Sequence, residues 1–184
     1  MKKAYLLTGG PGVGKTTLIK QALDRAYIKA GGFFTEEIRA GGVRQGFRIV
    51  TLDGRNAILA HIDFRSPFRV SKYGVDIESL DKVGVAALRD AVRECDVVVI
   101  DEIGKMELFS PSFKDVVLEA LDSEKRVLGT IMFTFHPWAD GIKRHANTAL
   151  ITVTRANREK ILAQVISWLE APTNGSLRNR HSGM

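Results

Sequence analysis

The segment Gly9-Gly10-Pro11-Gly12-Val13-Gly14-Lys15-Thr16 carries the spacing G-x-x-x-x-G-K followed by Ser or Thr, without a departure. Glycine permits backbone turns that a Cβ would obstruct, so successive N–H groups can converge on phosphate oxygens. Lys15 then offers a point charge to the β- and γ-phosphates of a nucleoside triphosphate, and the Thr16 hydroxyl is a hard oxygen donor suited to Mg²⁺. Thr17 is placed to reach the α-phosphate. A helix starting here adds partial positive charge at its N-terminus. A glycine turn serving only the fold would leave Lys and Thr in register with the last glycine unexplained.

A second constellation follows the run Val97-Val98-Val99-Ile100. Four β-branched residues without polar alternation describe a strand buried on both faces of a parallel sheet, expected beside the first strand. Asp101 at its carboxyl end is the second metal-holding group that a triphosphate loop needs. Glu102 follows, facing the other way if the strand continues, and can orient a water or take its proton. The pair favours hydrolysis over nucleotide binding alone, with Glu102 and Lys15 as the catalytic candidates. Glu107 is the rival base. Gly104 lets the chain leave the strand abruptly, and Lys105 either touches phosphate or is solvated.

The elements that must position these groups read as an alternation of strands and helices. Leu6-Leu7 ends a short strand, and Leu18, Ile19, Ala22, Leu23 and Ala26 recur at helical spacing after the loop. Extended runs over 33–39, 46–52 and 56–62, separated by Gly41-Gly42 and Asp53-Gly54, describe an antiparallel meander inserted after the first helix. Residues 65–76 carry no clear period and read as an irregular connection to a helix over 79–93. Ser110 and Pro111 suit an N-cap and first helical position. A strand over 127–133, a short helical or lid segment over 138–143, a strand over 149–154 and a helix over 156–170 complete the pattern. The fold class is α/β, three layers, with a mainly parallel sheet and an antiparallel insertion. The expected organisation is one domain over 1–170 and a loose basic tail over 171–184, which has almost nothing to bury.

The 184 residues are 45% hydrophobic and 26% charged, the balance of a soluble globular domain. There is no apolar run of about 18 residues, and glycine closes the N-terminal apolar stretch too early for a signal peptide, so the expected compartment is the cytoplasm, with no membrane partner. Cys95 is the only cysteine, which excludes an intramolecular disulfide or a cysteine metal cluster. The net charge of +6 suits nucleic acid, and equally a pocket that attracts a polyanionic nucleotide.

Asp101-Glu102-Ile103-Gly104-Lys105-Met106-Glu107-Leu108, after such a loop, resembles the small nucleoside-triphosphatase family of thermophilic prokaryotes, which has a human cancer-related homologue. The resemblance extends to Gly32 through Arg39, Arg44 with Gly46-Phe47, Tyr73 with Val75, His136-Pro137 with Ile142-Lys143, and Thr154 with Asn157-Arg158; only the tail after Glu170 lies outside it. It implies a RecA- or kinase-like domain and a Mg²⁺-dependent enzyme that converts ATP, GTP, CTP and UTP to the diphosphate and phosphate, slowly and with little base preference. It also implies nucleotide contacts from Gly9–Thr16 and from Val97–Gly104. Asn157 and Arg158 stand where a base or ribose could bond, although capping and surface charge explain them nearly as well. Glu36 or Glu37 could approach the attacking water, and the basic segment Lys143, Arg144, His145 could form a lid. Two rivals remain: a small nucleoside or metabolite kinase, which needs an acceptor pocket, and a nucleic-acid-associated switch, whose hydrolysis RNA or DNA should accelerate in a salt-dependent way.

Overall fold

The structure, a computed structural model, describes residues 1–172; the tail expected after residue 170 therefore lies outside the described residues except for its first two positions. Among the described residues all strands join one sheet. In chain order they are β1 (Ala4–Thr8), β2 (Ala30–Ala40), β3 (Val43–Thr51), β4 (Asn56–His61), β5 (Arg69–Val70), β6 (Tyr73–Val75), β7 (Val97–Ile103), β8 (Arg126–Ile131) and β9 (Thr148–Thr152). Their spatial order is β5-β6-β4-β3-β2-β7-β8-β1-β9.

The sheet changes character along β2. Its first part, from Ala30 to Phe34, pairs parallel with β7, and its continuation from Phe33 to Ala40 pairs antiparallel with β3. The parallel part β2-β7-β8-β1-β9 is covered on both faces. Alternate residues of β7 divide between two cores: Val98 and Ile100 pack with Leu88, Phe113 and Val117, whereas Val97 and Val99 pack with Leu18, Leu162 and Val165. The helices responsible are α1 (Lys15–Ala26), α3 (Ala86–Glu94), α4 (Pro111–Asp122) and α6 (Arg158–Glu170). Each presents one apolar stripe to the sheet, the arrangement that a β-branched run without alternation requires. The α/β three-layer expectation is met.

Details depart from the sequence reading for identifiable reasons. Residues 65–76 contain β5 and β6, a hairpin turning at Ser71-Lys72 with Ser71 at a φ of 54°. Two- and three-residue strands are too short to show a period. The following helix begins at Asp76 rather than Ser79: the Asp76 carboxylate accepts from the Ser79 N–H at 3.0 Å and from its hydroxyl at 2.7 Å. That helix runs through α2 (Ile77–Ser79), a π-helical segment (Leu80–Val85) and α3. Gly84, in the widened turn, lies against Phe33 and Ile49, where a Cβ would be within 3.4 Å of either side chain. Ser110 caps α4 as expected, accepting from the Phe113 N–H at 3.0 Å.

The strand bearing Asp101 is not beside β1. β8 lies between them, pairing parallel with both. Adjacency is a tertiary property that an apolar run cannot announce, and the intervening strand supplies a residue to the site.

Candidate active site

The loop from Gly9 to Gly14 leaves the carboxyl end of β1 and opens α1. Gly9, Gly12 and Gly14 take φ of 143°, 73° and 90°, conformations that strain any residue with a side chain. At Gly9 a Cβ would also meet the Val153 carbonyl oxygen at 2.4 Å. The loop's own carbonyls hold the lysine: Lys15 Nζ donates to the Gly9 and Gly10 oxygens, both at 2.9 Å. The ammonium thus stands over the loop, with the first-turn N–H groups of α1 free of intrahelical partners.

Asp101 is 3% exposed, and every part of it is engaged. Thr16 Oγ1 donates to its Oδ2 at 2.7 Å, Thr130 Oγ1 at the end of β8 donates to its Oδ1 at 2.5 Å, and Thr35 Oγ1 on β2 donates to its carbonyl at 2.8 Å. Burial pushes the Asp101 carboxyl up, and the hydroxyls of Thr130 and Thr16 oppose that shift by bonding the charged form. Thr16 and Asp101 form a pair of hard oxygens in contact, and both line the same cleft. Such a pair fits Mg²⁺, which keeps waters and phosphate oxygens and needs few protein ligands. Among the described residues no group of three or more His, Cys, Asp or Glu forms a self-sufficient metal cage.

Glu102 departs from the expected orientation. Ile100 pairs with Gly129 and Ile103 with Ile131, so β7 spends one more residue than β8 between those points. This bulge falls on Asp101-Glu102, whose peptide bond is cis. A bulge re-aims side chains, and here both carboxylates line one cleft of about 580 Å³. Gly104 makes room for the Glu102 side chain, whose Oε1 lies 2.3 Å from where a Cβ on that glycine would sit. Burial, then the charge of Asp101, raises the Glu102 carboxyl.

Glu107 enters the same cleft from the short helical turn Glu107–Phe109. It is 4% exposed, and burial followed by the charge of Glu102 pushes it up to about 8. Glu37 also faces the cleft, exposed and held low by a hydrogen bond from Arg39 and by Arg44, its ion-pair partners at 2.6 and 2.5 Å. Glu36 points to the other face of β2, toward Arg48 and Lys20.

The remaining expected residues separate clearly. Gly12, Gly14, Lys15, Thr16 and Thr17 line the cleft at its loop end, with Lys105 at its rim. Val97, Val98, Val99, Ile100 and Ile103 are fully buried and support the site from within the sheet. Asn157 organises the turn before α6, accepting from the Thr154 N–H at 2.8 Å and donating to the Thr152 carbonyl at 2.9 Å. Arg158 lies against Gly14, its Nε 2.8 Å from where a Cβ there would sit, and donates to Gln21 at 2.9 Å. Two of the three lid residues are engaged locally, Lys143 pairing with Asp140 at 2.8 Å and His145 lying 3.3 Å from Asp122, while Arg144 is exposed. His136 caps the short helix α5 (Pro137–Lys143). Thr35 and Thr130 were not foreseen. Neither carried a spacing signature, and Thr130 stands near the carboxyl end of β8 only once that strand is seen to end at Ile131.

A glycine loop opening a helix, a hydrogen-bonded pair of Thr16 and Asp101, and a second carboxylate in the same cleft define a P-loop nucleoside-triphosphatase domain. A family model described as "NTPase" matches residues 4–166, and the chain belongs to that family. Nucleoside-triphosphatase THEP1 of Thermotoga sp. (strain RQ2) is 47% identical over 165 residues, covering 90% of this chain and 94% of that protein. The crystal structure of THEP1 from the hyperthermophile Aquifex aeolicus superposes with a TM-score of 0.83 at 40% identity, covering 91% of this chain and 99% of that one. The solution structure of a human cancer-related nucleoside triphosphatase gives 0.78 at 36% identity, covering 92% and 98%.

Proposed function

We propose that this enzyme is a Mg²⁺-dependent nucleoside-triphosphatase, one domain over residues 1–170 acting in the cytoplasm, that converts ATP, GTP, CTP and UTP to diphosphate and phosphate. The observation that carries this reading is the convergence of Lys15, Thr16, Asp101 and Glu102 on one cleft at the carboxyl ends of β1 and β7. The loop N–H groups and Lys15 bind the β- and γ-phosphates, exchanging the carbonyls of Gly9 and Gly10 for phosphate oxygens. Thr16 and Asp101 would hold Mg²⁺, which when bound offsets the charge that develops on the phosphate oxygens. Glu102 orients a water whose oxygen bonds to the γ-phosphorus as the bond to the β–γ bridging oxygen breaks, and its carboxylate takes the water proton. Asn157 and Arg158 mark the nucleoside side of the loop.

The test is phosphate release from the four triphosphates with Mg²⁺ and with excess EDTA. All four should be hydrolysed at comparable rates, and EDTA should abolish turnover. Hydrolysis that survives EDTA, or a single base accepted, contradicts the reading. RNA and DNA should leave the rate unchanged at low salt, because Arg39 and Arg44, the arginines of β2 and β3 beside the cleft residue Glu37, are both paired with it.

A further inference from the structure

Water attack on a phosphate explains the loop end of the cleft and leaves the other end without a use. That end is walled by Phe47 of β3, Val70 of β5, and by Met106 and Met132. Apolar walls stabilise an organic body and do nothing for water or for a polyphosphate. The Phe47 ring is held in place edge-on by Tyr73, at 5.2 Å between centroids, and Arg44 stands over it at 5.4 Å. An aromatic ring beside two thioethers is suited to a flat heterocycle.

The charges narrow the occupant further. Glu37, Glu102 and Glu107 face this region, and Lys105 at the rim is, beside Lys15 of the loop, the only cation lining the cleft among the described residues. Arg39 and Arg44 are committed to Glu37. A second phosphorylated compound would find no uncommitted arginine to clamp it. A neutral molecule needs none.

We propose that the cleft seats an acceptor next to the triphosphate, and that the enzyme transfers the γ-phosphoryl group to the free hydroxyl of an unphosphorylated nucleoside. The transfer rests on the triphosphate reading above and uses the same carboxylate. The nucleoside hydroxyl oxygen bonds to the γ-phosphorus, the bond to the β–γ bridging oxygen breaks, the hydroxyl proton passes to Glu102, and the nucleoside diphosphate departs. Phosphate release in the absence of an acceptor is then water standing in for the hydroxyl.

The experiment uses the full chain with Mg²⁺ and ATP radiolabelled at the γ-phosphate. Adenosine, guanosine, cytidine, uridine and thymidine are supplied separately at millimolar concentration, and their monophosphates in parallel. The expected result is label in a nucleoside monophosphate for at least one nucleoside, and none transferred to the monophosphates. Label found only in inorganic phosphate with every nucleoside overturns the inference and leaves the hydrolase intact. Label passed to monophosphates overturns the neutral acceptor, and no consumption of ATP at all overturns both readings. Val70→Trp, which fills the apolar end from the short outer strand β5, should lower the ratio of transfer to hydrolysis by about tenfold, the scale of a lost pocket contact. Phe47→Ala should lower the same ratio, and serves if the larger side chain disturbs folding. A ratio unmoved in both variants contradicts the placement.

Discussion

The parallel strands and the inserted antiparallel strands share β2, yet they solve different problems. On the parallel side, β7, β8 and β1 are buried on both faces, and their carboxyl ends hold Asp101, Thr130 and the start of the glycine loop against a packed core. On the inserted side, β3 and β4 expose alternate residues, and the polar face is a lattice of ion pairs: Glu36 with Arg48, Glu37 with Arg39 and Arg44, Asp53 with Arg55. The insertion brings Phe47, Val70 and Glu37 over the mouth of the site. Groups that must sit within fractions of an ångström of the phosphates come from the rigid half. The inserted half shapes what meets them.

That division can be broken by substitution, beginning where the effect should be greatest. Lys15→Ala removes the cation that spans the β- and γ-phosphates, and kcat/KM for ATP should fall by about 10²- to 10³-fold, the scale of one lost transition-state donor. A smaller loss would mean that the loop backbone alone carries the charge. Glu107 should show itself in stability rather than rate. Its carboxyl is raised in the fold to about 8 from an ordinary 4.5, so the fold binds a proton that the unfolded chain releases. Its contribution is fully present below pH 4.5 and is lost as pH rises toward 8. Melting temperatures measured without nucleotide at pH 5 and pH 8 should therefore show the wild type losing ground to Glu107→Gln as pH rises, and parallel profiles would place the proton elsewhere. Least should happen in the insertion: Arg48→Ala breaks an exposed pair with Glu36, and chemical denaturation should register a change of about 0.5 kcal/mol or less.

The rigid half was also the more legible in the sequence. Gly9 to Thr16 could be read because backbone conformation, charge and hydroxyl are all specified at fixed spacing, and Asp101 because a β-branched run ends on it. What escaped is what depends on tertiary register. The position of β8 between β1 and β7 is set by packing, so Thr130, a single hydroxyl with no spacing signature, could not be assigned to Asp101. The bulge that turns Glu102 into the cleft arises from the pairing of β7 with β8, invisible to a rule of alternation. In the insertion, β5 and β6 were too short to carry a period. The cleft-facing role of Glu37 against the outward Glu36 followed only once the phase of β2 was known. Lys143 carried the right charge for a lid, but Asp140, one helical turn away, takes it up.

Glu102 tests the account most directly, because it lies in the rigid half and is asked to act on the γ-phosphate without holding the nucleotide. Glu102→Gln preserves the shape of the side chain and removes its basicity. Turnover of ATP should drop by roughly 10²- to 10⁴-fold, the range of general-base catalysis, while calorimetric affinity for a non-hydrolysable Mg²⁺–ATP analogue stays within about twofold of the wild type. A variant with near-native kcat, or one that loses affinity in step with rate, would contradict the assignment of Glu102 as the group that activates the attacking oxygen.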